Sequence, residues 1–131
     1  MSPLKLLRRN EEGAAAIEMA IALPVLLVMI YGIFQVGLVF QANAGMQHAL
    51  GEGARFATLF PTPTDAQIQA RMNSELFGRG YGNFTVAAPA TDASNAFKTL
   101  TVTYTTPMDF LIVPGPTVTV SRSKRVYMPV V

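Results

Sequence analysis

The sequence predicts an α+β fold: a long N-terminal helix half in a membrane, a short second helix, and a small antiparallel sheet of three or four strands. Three patterns carry this prediction. No Lys, Arg, Asp or Glu occurs between Glu18 and Glu52, where apolar residues dominate. Apolar residues recur at helical spacing after Thr64, and they alternate with threonines from Leu100 to Tyr104. Periods near 3.6 and 2 distinguish helices from half-buried strands.

Composition points to a membrane protein. The 131 residues are 50% hydrophobic and 14% charged, whereas soluble domains carry about 25% charged residues. The excess lies in Met19–Phe40, which is as long as the stretch of about 20 apolar residues that spans a bilayer. The chain after about Ala54 is short, yet it can support one small domain. Cysteine is absent, which excludes disulfides and thiolate metal sites.

The charges that flank the apolar run predict its orientation. Lys5, Arg8 and Arg9 precede the run, and Arg55 is the first basic residue after it. Because basic residues favour the cytoplasmic side, we expect the N-terminus in the cytoplasm and the rest of the chain outside it.

Two simple interpretations of this segment leave residues unexplained. A cleaved secretory signal would use the A-x-A-like site Ala42–Ala44 before Gly45, but its apolar core should have about 7–15 residues. This run is longer and contains Glu18 and Pro24. An uncleaved anchor explains the length and the flanking charges. It does not explain a carboxylate inside the span, which is costly in hydrocarbon.

A third interpretation gives Glu18 a role. If a protease cut after Gly13, Ala14 would carry a new α-amino group and Glu18 would be the fifth residue of the mature chain. Residues one and five lie one turn apart on the same helix face. The amino group and the carboxylate could then neutralise each other, within one chain or between neighbouring chains, which lowers the cost of burying both. Glu18 would set the register of one helix against another.

The segment "GAAAIEMAIALPVLLVMIYGIFQVGLVF", continued by "QANAGMQHALGEGARFAT", resembles the N-terminal region of TadE-like pseudopilins. These are minor pilin-like proteins of the tight-adherence (Tad/Flp) pilus system. The resemblance covers roughly residues 12–57. It rests on Gly13, Glu18 and Pro24, on a polar turn near residues 35–43, and on the small-residue helix that ends in "GEGAR".

This resemblance implies that a prepilin peptidase, an aspartic protease of the inner membrane, cuts between Gly13 and Ala14. It also implies that Glu18 and Pro24 serve processing and assembly with other pilin-like subunits and an inner-membrane platform. The protein would be single-pass, with its C-terminal domain periplasmic or extracellular. Met19 stands where an aromatic often follows the family's glutamate, and this departure weakens the match to the major pilin.

The helix is expected to continue beyond the membrane. No proline occurs from Gln41 until Pro61, so the helix should run to about Phe60. A stripe of small residues would let another helix, or the chain's own sheet, approach closely. The stripe comprises Ala42, Gly45, Ala49, Gly53 and Ala57. The expected divisions are a leader at 1–13, a transmembrane helix at 14–40, a stem helix at 41–60 and a small domain at 61–131.

The rest of the chain predicts one helix and a sheet. Thr64 and Gln67 form a capping box ahead of an apolar stripe. The stripe comprises Ile68, Met72, Leu76 and Phe77, and Gly78, Gly80 and Gly82 follow it. The strands are expected in "NFTVAAP", "FKTLTVTYTT" and "TVTVSRSKRVYM". The apolar segment Phe110–Val113 suggests a hairpin arm that packs on the domain, or a contact with a partner or the bilayer.

The sequence shows no arrangement of residues typical of an enzyme. His48 has no second His or Cys for a zinc site, and the serines lack a G-x-S-x-G context. The basic cluster Arg122, Lys124 and Arg125 lacks the aromatic platform of a nucleic-acid binder. We therefore expect no catalysis, cofactor, metal or nucleic acid. The main hypothesis is a pilin-like assembly subunit, and the alternative is an unprocessed, membrane-anchored periplasmic accessory or binding module.

Overall fold

The computed structural model describes residues 4–94, 96–110 and 113–128. Within these residues, two helices are followed by four strands, all joined in one antiparallel sheet, which confirms the predicted α+β class. The elements are α1 (Leu4–Ala57), α2 (Asp65–Ser74), β1 (Asn83–Val86), β2 (Ala90–Thr91), β3 (Phe97–Phe110) and β4 (Val113–Tyr127).

Helix α1 runs without interruption through Pro24. It ends at Ala57, one turn before the predicted end at Phe60. The N–H groups of Thr58 and Leu59 bond to carbonyls three residues back, at 3.3 and 3.1 Å. Such bonds tighten the last turn of a helix and satisfy its free carbonyls. The helix therefore ends before Pro61 would require it to end.

The capping box that begins α2 is present as predicted. The Gln67 N–H donates to the Thr64 Oγ1 at 3.3 Å, and the Thr64 N–H donates to the Gln67 Oε1 at 2.9 Å. Ile68 and Met72 are fully buried. The predicted stripe is too long, however, because α2 ends at Ser74 and Phe77 is 47% exposed.

Loss of this cap should weaken α2. We expect Thr64→Ala to lower the free energy of unfolding by about 1 kcal/mol, since the Gln67 N–H loses its side-chain acceptor. Thermal unfolding of the full chain in detergent micelles would measure the change. Thr64→Ser keeps the accepting oxygen and should stay close to the parent; equal losses in both variants would show that the hydrogen bond is not what matters.

Strand β3 is the centre of the sheet. Strands β1 and β2 pair with one edge of β3, and β4 pairs with the other edge. The predicted apolar face of β3 is confirmed, since Leu100, Val102 and Tyr104 are at most 1% exposed. They pack against buried residues of both helices, namely Ala42, Met46, Leu50, Ala57, Ile68 and Met72.

The hairpin of β3 and β4 is longer than the sequence pattern indicated. Pairing continues past a bulge between Pro107 and Asp109 to the Phe110–Val113 pair. The predicted hairpin arm is therefore a continuation of the sheet. Leu111 and Ile112, which complete the apolar segment, lie outside the described residues.

Candidate membrane and assembly site

The N-terminal part of α1 has an uncovered apolar surface. Within the described residues, one helical span is long and apolar enough to cross a membrane, and 6% of its most apolar window is buried. Ile17, Ile33 and Phe34 are all more than half exposed. Soluble monomers rarely expose a continuous apolar surface of this size. By its length and composition, this part of α1 is suited to be a single-pass membrane anchor.

Glu18 lies within this surface. Its side chain is exposed, and it borders a shallow apolar groove along one helix face. The groove is lined by Glu18, Ile21, Ala22, Val25, Leu26 and Met29. The spacing places the carboxylate one turn from Ala14 and one turn from Ala22 on the same face. A charged group here would face hydrocarbon or a neighbouring chain.

Gly13 and Ala14 lie one helical turn before Glu18, and both are exposed. A Cβ added at Gly13 would meet no described atom within 4 Å. Glycine inside a helix costs about 1 kcal/mol relative to alanine, and packing within the described chain gives no reason for it here. Pro24 is exposed on the same helix.

The stripe of small residues packs within the chain. Ala42, Gly45, Ala49, Gly53 and Ala57 are all buried. A Cβ at Gly45 would overlap the backbone carbonyl oxygen of Phe77 in the loop after α2, and one at Gly53 would overlap the Met72 side chain of α2. The stripe therefore lets α2 and its loop approach α1. A contact of the same stripe with another subunit has no support in these distances.

Charged residues join α1 to α2 on the surface. The Arg71 Nη2 lies 2.9 Å from the Glu75 Oε1 and 3.8 Å from the Glu52 Oε2. The His48 Nε2 lies 3.3 Å from the Glu75 Oε2, so this histidine is a surface residue in hydrogen-bond contact with Glu75. Exposed pairs contribute about 0–1 kcal/mol each. Among the described side chains, no three His, Cys, Asp or Glu residues converge as metal ligands.

Most of the predicted basic cluster has partners in the chain. The Arg122 Nε donates to the Asn43 Oδ1 of α1 at 2.8 Å. The Arg125 guanidinium lies 5.1 Å from the centre of the Phe97 ring. In the turn after β2, the Ser94 hydroxyl donates to the Asp92 carboxylate and lowers its pKa. The first two contacts hold the Arg122 and Arg125 side chains against the domain surface.

Gln35 is the important residue that sequence reasoning missed. Residues 35–43, interpreted above as a polar turn, are helical, and Gln35 is only 6% exposed. Its Nε2 donates to the Asp109 carbonyl at the end of the hairpin, while its Oε1 is buried without a partner among the described residues. The sequence does single out Gln35, because it is the first amide side chain after Glu18 in the apolar run. It does not identify the hydrogen-bond partner of Gln35, which lies 74 positions away.

The comparisons with known proteins agree with the geometry of α1. A family model described as "TadE-like protein" matches residues 13–55, about a third of the chain. No curated protein and no solved structure matched the chain. The matched segment begins at Gly13 and contains Glu18, Pro24 and most of the small-residue stripe. Over residues 13–55 this chain is similar to TadE-like proteins.

Proposed function

We propose that this protein is a minor pilin-like subunit, made as a precursor, cut after Gly13 by a prepilin peptidase and held in the inner membrane until it assembles. The observation that supports this best is the exposed carboxylate of Glu18 within the uncovered apolar part of α1. A plain anchor needs no such group, and a carboxylate there costs several kcal/mol unless it is paired.

Removal of residues 1–13 would create that pair. The new α-amino group of Ala14 would stand one turn from the Glu18 carboxylate, about 6 Å along the helix axis. Within one chain this separation leaves the charges only partly neutralised. Between two chains shifted by one turn, the amino group of one could contact the carboxylate of the next directly. Assembly would then satisfy both groups, with the other pilin-like subunits and the inner-membrane platform as partners.

The structure of Gly13 supports cleavage at this point. Gly13 is exposed and makes no close packing contact with the described residues, so a protease could approach it. The glycine weakens the helix locally, which would help the backbone to enter an active site in extended form. The rival function, an unprocessed anchored accessory module, gives neither Gly13 nor Glu18 a role.

The test is the N-terminal residue of the membrane-extracted protein, from cells with and without prepilin peptidase. We expect Ala14 with the peptidase and an unprocessed chain without it. Gly13→Leu should leave only precursor, because its side chain would block the site. Gly37→Leu is the matched control, since Gly37 is an exposed helical glycine with equal space around it, and it should be cut normally. A start at Gly45 would indicate a signal peptide, and a start at Met1 in every strain would leave the anchored module.

A further inference from the structure

We infer that the end of the β3–β4 hairpin rests on the outer surface of the bilayer beside α1 and gives the protein a second contact with lipid. This hairpin end is defined as residues 107–110 and 113–116. The inference goes beyond the proposed function and depends on the membrane span alone. Neither cleavage nor assembly is needed for it to hold.

The hairpin runs along α1 towards the membrane. A Cβ at Gly53 would lie 3.4 Å from the Leu100 side chain, whereas Gln35 donates to the carbonyl of Asp109. From Gly53 back to Gln35, α1 covers about 27 Å at 1.5 Å per residue. From Leu100 to Asp109, β3 covers about 30 Å. The two elements are thus antiparallel and matched in length, and the hairpin end lies at the level of Gln35.

We place the end of the hydrocarbon at Gln35, earlier than the residue 40 expected from composition, because Gln35 is a buried polar side chain of the apolar run. Residues 14–34 span about 31 Å as a helix, which matches the thickness of the apolar core of a bilayer, about 30 Å. A glutamine amide at this boundary needs a hydrogen-bond partner if water is excluded. The carbonyl of Asp109 accepts from the Gln35 Nε2, so the hairpin covers this face of α1. Val28, Tyr31 and Gly32, on the same face one or two turns earlier, are partly covered.

A second loop reaches the same level. A Cβ at Gly80 would lie 3.6 Å from the Leu38 side chain of α1. Tyr81, beside it, is 67% exposed, and Arg79 is exposed as well. Tyrosines are enriched at the boundary between membrane and water, and arginines there can reach lipid phosphates. Two separate loops of the domain therefore present interfacial residues next to the last apolar turns of α1.

The composition of the hairpin end fits the headgroup region. Its described side chains are those of Pro107, Met108, Pro114 and Pro116, with Asp109 as the charged one. The Asp109 side chain is exposed, and a carboxylate would be costly deeper in the bilayer. The hairpin end therefore lies at the headgroup level. Lipid is the occupant we assign, because the contact is continuous with a helix that itself enters the bilayer.

Single-cysteine labels can test this depth, because the parent chain has no cysteine. We would replace Asp109 and Pro114, both exposed, in separate full-length variants, and attach an environment-sensitive fluorophore. Ser123→Cys is the control, since it is an exposed residue of β4 about 30 Å from Pro114. The Gln35 bond uses the backbone of Asp109, so its side chain can be changed, and circular dichroism would verify folding.

The labelled proteins would be placed in vesicles of phosphatidylcholine and phosphatidylglycerol. We expect lipids spin-labelled near the headgroup to quench the labels at positions 109 and 114 several-fold more than the label at 123, and iodide to quench them less. Quenching equal to that at position 123 would overturn the inference. The inference would also be overturned if the labels were protected from iodide when vesicles hold several chains but not when each vesicle holds one chain. A second copy of the protein, and not lipid, would then cover the hairpin end.

Discussion

Glu18→Ala should leave the precursor cleaved and inserted in the membrane but reduce its incorporation into assembled pilus material to background. Without the carboxylate, the α-amino group of Ala14 would have to be buried without a partner whenever two chains pack together. Breaking a buried ion pair from one side costs about 3–5 kcal/mol, which is more than a 100-fold loss in an association constant. Sheared pilus fractions, compared with the membrane fraction on the same blot, would measure incorporation.

Two control variants separate this role from a general effect of charge. Glu18→Gln keeps the size and polarity of the side chain but cannot neutralise an amino group, so it should fail almost as severely as Glu18→Ala. Glu52→Ala removes one negative charge from the part of α1 that packs on the domain, where its ion pairs are exposed. It should assemble normally. Normal assembly of Glu18→Ala would refute the proposed role of the carboxylate, even if cleavage after Gly13 were established.

The elements that sequence alone could predict are those set by local chemistry. The α2 cap depends on two residues three positions apart, Thr64 and Gln67, and it is found where expected. The buried face of β3 depends on strict alternation, and it too is found. Strand β2 was missed because Ala90–Thr91 is too short to show any alternation. This strand is defined by its antiparallel pairing with Lys98 and Thr99 of β3.

The membrane-proximal contacts could not be predicted, because they depend on register between distant elements. Nothing near Gln35 in the sequence indicates that it bonds to Asp109. That contact follows from the position of Leu100 beside Gly53, which fixes β3 along α1 over its whole length. Each partner is notable in the sequence by itself: Gln35 is a polar residue near the end of an apolar run, and Asp109 precedes an apolar segment. The sequence does not indicate that the two are in contact. The exposed residues Gly13, Glu18 and Pro24 have the opposite character, since their spacing carries the signal and the proposed function places their partners in other molecules.

The small-residue stripe is a sequence pattern that does not identify the group that packs against it. Intervals of three and four residues establish one helix face, and small side chains establish that something approaches it closely. Neither property identifies the approaching group. In the structure the group at Gly45 is the backbone of Phe77, reached through a loop in which Gly78 and Gly80 have φ of +75° and +52°. That backbone conformation favours glycine and directs the loop onto α1.

Gly45→Ala should consequently destabilise the domain, although alanine is the better helix former. The added methyl group would overlap the Phe77 carbonyl oxygen, and backbone cannot move aside as a flexible side chain can. Overpacking of this kind costs about 1–3 kcal/mol, against a gain of at most about 1 kcal/mol in helix propensity. Thermal unfolding of the full chain in detergent micelles should show a midpoint lower by several degrees.

Gly51→Ala is the matched control, because Gly51 lies in the same helix and a Cβ there meets nothing within 4 Å. It gains helix propensity without a clash, so its unfolding midpoint should rise or stay unchanged. If Gly45→Ala instead unfolded like Gly51→Ala and lost pilus incorporation, the stripe would serve contacts between subunits. Opposite shifts in the two variants, with incorporation falling only as far as stability does, would assign the stripe to packing within one chain. Glu18 and the membrane-spanning part of α1 would then remain as the surface on which subunits meet.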